Sequence, residues 1–267
     1  MIHAARTRLD APPDEGILRT LTAAERDRLA AVTRPDRRQQ LIVSRALAKR
    51  LFVEMLDGKV IAAAGSRGGA IPEVRLEVPR ACEAERQRDV EVGRASPDEA
   101  RPTIVDGGAV RRDVNVSIAH ADGWATVALS TTAAIGVDVA RDEPRCPSFY
   151  RAHFTTRERA WVKRAHEAHR ETLHTLLWTL KESVVKSGIA SGVTLWGYDE
   201  IEIALDFPAC ELGDRYKRAG ETANGVIANG LPVRVSVAGR GPRSAQVWIT
   251  RSGETVFSLV TFGRAAA

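Results

Sequence analysis

The sequence predicts a mixed α/β chain of the α+β kind, and three observations carry that prediction. Two long stretches repeat apolar residues at helical spacing, and each stops at a glycine, Gly58 or Gly188. Each is followed by short runs in which apolar and polar residues alternate, as in half-buried strands. At 267 residues the chain has room for one large domain or two small ones. The long-helix-then-strands pattern in both halves hints at duplication, with a boundary expected between residues 1–132 and 133–267.

In chain order, Thr22 with Glu25 reads as a capping box that opens a short helix ending near Val32. Asp36 is expected to cap the first long helix. Its apolar face is Leu41, Leu47, Ala48, Leu51, Phe52, Met55 and Leu56. Residues 62–113 are rich in Gly, Pro, Arg and acids and read as loops with short strands near Val90–Val92 and Thr103–Val105. Val114, Val116 and Ile118 alternate with polar residues, Ala121-Asp122-Gly123 is a turn, and Trp124 to Ser130 and Ala133 to Val139 are strands. Thr155 with Glu158 forms a second capping box, for a helix expected to reach His169. A second long helix is expected from Glu171 to Ser187, with the stripe Leu173, Leu176, Leu177, Leu180 and Val184. Ile201–Leu205, Val233–Val237, Gln246–Thr250 and Val256–Phe262 read as the closing strands.

Composition narrows the function classes. Hydrophobic residues are 44% and charged residues 27%, the balance of a soluble globular chain. A net charge of +5 suits an acidic partner or phosphates without naming either. Only six of the 39 basic residues are Lys, and two of those, Lys181 and Lys186, lie within six residues of each other. The cysteines Cys82, Cys146 and Cys210 are odd in number and far apart, which argues against a disulfide framework or a thiolate zinc site and fits a reducing cytoplasm. No apolar run has the length of a membrane span, and the first residues lack the apolar core of a signal peptide. P-loop, dinucleotide-binding and nucleophile-elbow motifs are absent. His166 and His169 are three apart and miss the spacing of a zinc-protease helix, so they, with His153 and His174, are expected on helix surfaces.

Two acids stand out. Asp138 ends the apolar strand IGVDV, where a carboxylate is costly unless paired or bound to a cation. Glu182 lies in WTLKESVVK, with Lys186 one helical turn later on the same face. By spacing alone, Glu182 and Lys186 make an ordinary helix-surface pair worth roughly 0.3–0.5 kcal/mol, and Asp138 a turn residue. Two carboxylates beside a cation also suit Mg²⁺ with a phosphate ligand.

The chain resembles the 4′-phosphopantetheinyl transferases of the surfactin-synthetase-activating type. The likeness rests on RRQQLIVSRALAKRL with Arg45, on Ala100-Arg101-Pro102, on VNVSIAHADGW with Ser117 and His120, and on IGVDV followed by WTLKESVVK. The last pair, with Asp138, Trp178, Lys181, Glu182 and Lys186, is the specific signature. The resemblance implies a pseudo-twofold fold of two similar subdomains, each a long helix on a small, mostly antiparallel sheet. It implies transfer of phosphopantetheine from coenzyme A to a serine of an apo acyl or peptidyl carrier protein, with 3′,5′-ADP released, by a cytoplasmic monomer. Asp138 and Glu182 would hold Mg²⁺. Glu182, Lys186 and Asp138 would be catalytic. Arg37, Arg38, Arg45, Arg101, Ser117, His120, Lys181 and Lys186 would hold coenzyme A. Ala119, Ala100 and Ala140 depart from the family pattern, and Ala140 leaves two carboxylates for the metal.

Two rival classes fit the charge. A Mg²⁺-dependent nuclease commonly carries Glu-x-Lys on a strand, whereas here Glu and Lys are four apart on a helix. A basic nucleic-acid-binding protein calls for a basic stripe interleaved with aromatics, but aromatics are 5% and Arg is scattered. The expected partners are therefore the carrier and coenzyme A, with neither nucleic acid nor membrane.

Overall fold

The computed structural model describes residues 2–10, 13, 15–57, 90–93, 101–190, 192–193, 195–219 and 225–263. Gly58, Cys82 and Ala100 lie outside them. The fold is mixed α/β with antiparallel sheets. The described residues form two compact units, one ending at Thr132 and the other beginning at Ala133.

The first unit runs β1 (Ile2–Arg8), α1 (Glu15–Arg19), α2 (Ala23–Ala30), α3 (Pro35–Leu56), β2 (Val90–Gly93), β3 (Thr103–Asp106), β4 (Ala109–Val110), β5 (Asn115–Ala121) and β6 (Trp124–Ser130). Its sheets are ordered β1-β6-β5 and β2-β3-β4. Asp122 and Gly123 both take positive φ, 51° and 73°, the geometry of a tight hairpin turn between β5 and β6. Leu47, Ala48, Leu51 and Phe52 of α3 pack on Val116, Val127 and Leu129 of that sheet. Asp36 is not the cap of α3: Arg34 stands at the cap position, Pro35 opens the helix, and Asp36 in the first turn bonds Arg34 at 2.5 Å.

The second unit runs β7 (Ala133–Arg141), α4 (Pro147–His153), α5 (Thr156–Lys163), α6 (Arg170–Lys186), β8 (Ile201–Leu205), α7 (Ala209–Ala219), β9 (Gly225–Val237), β10 (Arg240–Ser252) and β11 (Thr255–Gly263). The sheet order is β7-β11-β10-β9-β8, antiparallel throughout. All five Leu and Val of the α6 stripe are fully enclosed, against Ile201, Ile203, Val247, Ile249 and Val260. The helix expected to reach His169 ends at Lys163, and a separate 3-10 turn, Glu167–His169, is capped by His166. β9 starts eight residues before the expected Val233, because Gly230, at φ 64°, and Pro232 lie inside a strand with irregular register instead of in a turn.

The two units share one local arrangement. In the first unit Thr22 and Glu25 form a complete capping box. The enclosed Glu25 carboxylate also accepts from Val92 N (2.9 Å) and pairs with Lys49 of α3. In the second unit Thr155 and Glu158 form the same box, and Glu158 accepts from Ile203 N (2.9 Å) and pairs with Lys181 of α6 (2.7 Å). Lys49 further donates to Thr20 O at 2.7 Å and Lys181 to His153 O at 2.8 Å, each carbonyl two residues before the capping threonine. One Glu–Lys clasp thus joins short helix, long helix and strand in each unit. No helix among the described residues is long and apolar enough to cross a membrane.

Candidate active site

Asp138 sits on β7, on the face that meets α6, and Gly136 two residues earlier shares that face. A Cβ at Gly136 would lie 1.8 Å from Ser183 O, so only glycine lets the backbone of α6 settle on the strand. Ser183 Oγ then meets Ser258 Oγ at 2.8 Å, and Ser258 Oγ donates to Thr179 O at 2.9 Å. Ser258 is the β11 partner of Asp138, so these bonds fix α6 over that point of the sheet. Gly136→Ala is expected to cost about 3 kcal/mol, since neither strand nor helix backbone can yield. A Tm equal to wild type in calorimetry would contradict the close approach.

On this platform Lys186 Nζ lies 2.5 Å from Asp138 Oδ1 and 4.0 Å from Glu182 Oε2, one ammonium between two carboxylates. Asp138 is almost enclosed, with a side chain 7% exposed, while Lys186 reaches solvent at 31%. Burial pushes the Asp138 carboxyl up to about 6; Lys186 works against that rise and Glu182 adds to it. Tyr198 Oη donates to Glu182 Oε1 at 3.0 Å. Burial, then the neighbouring Glu182 charge, push the phenol pKa up, so it remains a donor. Trp178, one turn before Glu182 on α6, packs against Tyr198, His153 and Phe149 at ring distances of 5.2, 5.3 and 4.9 Å. His153 is therefore enclosed within an aromatic cluster rather than on a helix surface.

All-oxygen donors flanking a single cation fit a hard divalent ion. Among the described residues no three His, Cys, Asp or Glu side chains gather as a metal cluster. The acids that follow β7 in sequence are engaged elsewhere: Asp142 accepts from Tyr216 (2.6 Å) and Thr172 (3.0 Å), and Glu143 lies 3.9 Å from Arg145.

Lys181 requires a correction. Its side chain is fully enclosed, and its ammonium is spent on Glu158, His153 O and Tyr198 O (2.9 Å), leaving no donor for a phosphate. Burial lowers the Lys181 pKa and raises that of Glu158, so each charge depends on the other. Lys181 builds the site from behind rather than reaching a ligand in it.

The remaining sequence-derived candidates lie in the first unit. Arg37 of α3 contacts the His120 ring on β5. Ser117, an odd number of residues from His120, faces the opposite side of the sheet and is buried. Arg38 turns back to Val32 O (2.6 Å), and Arg45 ties α3 to Val92 O (3.2 Å). Arg101 is half-buried just before β3. The structure thus brings Arg37 and His120 together and gives Arg38 and Arg45 backbone partners.

Residues 134–231 match the family model of the 4′-phosphopantetheinyl transferase superfamily. The matched span is less than half of the chain and holds Gly136, Asp138, Lys181, Glu182, Lys186 and Tyr198. The similarity supports phosphopantetheinyl transfer in general terms. No curated protein matches the chain.

Proposed function

We propose that the chain moves phosphopantetheine from coenzyme A to a serine hydroxyl of an apo carrier protein, as the surfactin-synthetase-activating type does. The observation that carries this is the Asp138–Lys186–Glu182 arrangement inside the span similar to the superfamily. Asp138 and Glu182 would hold Mg²⁺, which when bound supplies Lewis-acid neutralisation of pyrophosphate charge. Glu182 accepts the proton of the carrier serine. The serine oxygen forms a bond to the phosphorus that carries pantetheine, the pyrophosphate P–O bond breaks, and 3′,5′-ADP departs with the electron pair. Lys186, partly exposed, offers its ammonium to phosphate oxygens. Arg37 and His120, which touch each other, serve the nucleotide end, with Arg45 on the same helix as Arg37 and Arg101 as further guanidinium candidates; an arginine fork matches phosphate. Ser117, on the other face of the sheet, and Arg38, turned back to Val32 O, fall outside that set. A basic chain favours acidic carriers through long-range attraction, and scattered cysteines favour a cytoplasmic enzyme, which we take to be a monomer.

Release of 3′,5′-ADP that requires both the apo carrier and its serine tests this function. A serine-to-alanine carrier that still elicits release would overturn it. Arg37→Ala and His120→Ala are each expected to weaken coenzyme A at least about tenfold while leaving dephospho-coenzyme A within about twofold, the loss of one charge-assisted contact. Equal weakening of both ligands, measured by calorimetry, would move these residues away from the 3′-phosphate.

A further inference from the structure

The two oxygens of Glu182 have different neighbours. Oε1 accepts from the Tyr198 phenol at 3.0 Å, and Oε2 lies on the side of Lys186, which in turn contacts Asp138. Tyr198 is itself held twice. Its ring packs on Trp178, and its carbonyl accepts from Lys181, the lysine of the buried clasp. Phenylalanine would supply both the ring and the carbonyl, so packing does not call for the hydroxyl. A buried hydroxyl is costly without a partner, and this one is aimed at a carboxylate of the candidate site.

We infer that Tyr198 is a positioning residue whose phenol holds one oxygen of Glu182 and thereby directs the other toward Asp138 and Lys186. This rests on the function proposed above. Neither the spacing of the signature nor the sequence around Tyr198 marks it, because it sits in the 3-10 segment Leu195–Glu200, beyond the end of α6. The clasp of Lys181 with Glu158 therefore acts on the site through Tyr198: the same ammonium that joins α5 to α6 also fixes the segment that carries the phenol.

The test is Tyr198→Phe, read three ways. Its Tm should stay within about 3 °C of wild type, since the ring remains. Transfer should show kcat at least about tenfold lower with KM for coenzyme A within about twofold, as expected for losing a hydrogen bond to a charged group that acts in the chemical step. Mn²⁺ affinity in the presence of coenzyme A, titrated by calorimetry, should fall about fivefold. A merely structural role would lower Tm and change kcat and KM together, and that result overturns the inference. A wild-type kcat in the variant overturns it too, with the transfer function untouched. If the wild-type chain transfers nothing, the function itself fails, and the Mn²⁺ titration then decides for Tyr198: equal affinities, or no Mn²⁺ binding by the wild type, overturn the inference.

Discussion

Asp138→Asn is expected to abolish transfer and, at neutral pH, to make the protein more stable. The carboxyl is almost fully enclosed, and its pKa in the folded chain is pushed from 3.8 to about 6, chiefly by burial. Between those values the folded chain holds a proton that the unfolded chain has released. Stability therefore falls as pH rises from about 4 to about 6, and the penalty is complete above that range. The shift corresponds to about 3 kcal/mol at most. Asparagine removes the charge, keeps the volume and can still face Lys186, which reaches solvent and is not stranded as a buried ion. The variant should thus gain about 1–3 kcal/mol at pH 7.5 and lose the fall in Tm between pH 4 and 6. Transfer should drop by at least about a thousandfold, as for removal of an electrostatic anchor in a reaction centre. Differential scanning calorimetry across pH, with a transfer assay at each point, checks both halves. A destabilised variant, or one with appreciable transfer, contradicts the assignment.

Lys181→Ala should act in the opposite sense. The ammonium is fully enclosed and is the cation paired with the buried Glu158. Its removal leaves a carboxylate without a counter-charge and frees His153 O and Tyr198 O, at an expected cost of about 3–5 kcal/mol. That corresponds to a Tm lower by about 10 °C. Combining Lys181→Met with Glu158→Gln should recover part of the loss, because no orphaned charge remains. A lysine that bound coenzyme A would instead raise KM with little change in Tm, and that outcome would restore the role expected from the sequence.

Legibility in the sequence follows the physics of each segment. Both capping boxes were readable because Thr-x-x-Glu is a local signal, and both long helices because their apolar stripes repeat over many turns. β1 was not, since it buries His3, Arg6 and Thr7 among alanines and shows no apolar alternation. α7 carried a usable signal, Ala209, Leu212 and Tyr216 at helical spacing, behind a turn-like Asp206-Phe207-Pro208. In the site, Asp138, Glu182 and Lys186 could be singled out because a charge on an apolar strand and an i, i+4 pair are local patterns. Lys181 misled for the same reason. It adjoins Glu182 in sequence, but one residue is about 100° around a helix, enough to send its side chain to the clasp behind the site. Tyr198 and the close approach at Gly136 depend on where the chain path brings α6, which spacing does not encode.

The most direct measurement is the intact mass of an apo carrier after incubation with coenzyme A, Mg²⁺ and either the wild-type chain or Asp138→Asn. The expected result is a gain of one phosphopantetheine on the carrier serine with the wild type and an unchanged carrier with the variant. An unmodified carrier in both reactions, or equal modification in both, would contradict a transferase whose chemistry is seated on Asp138, Glu182 and Lys186.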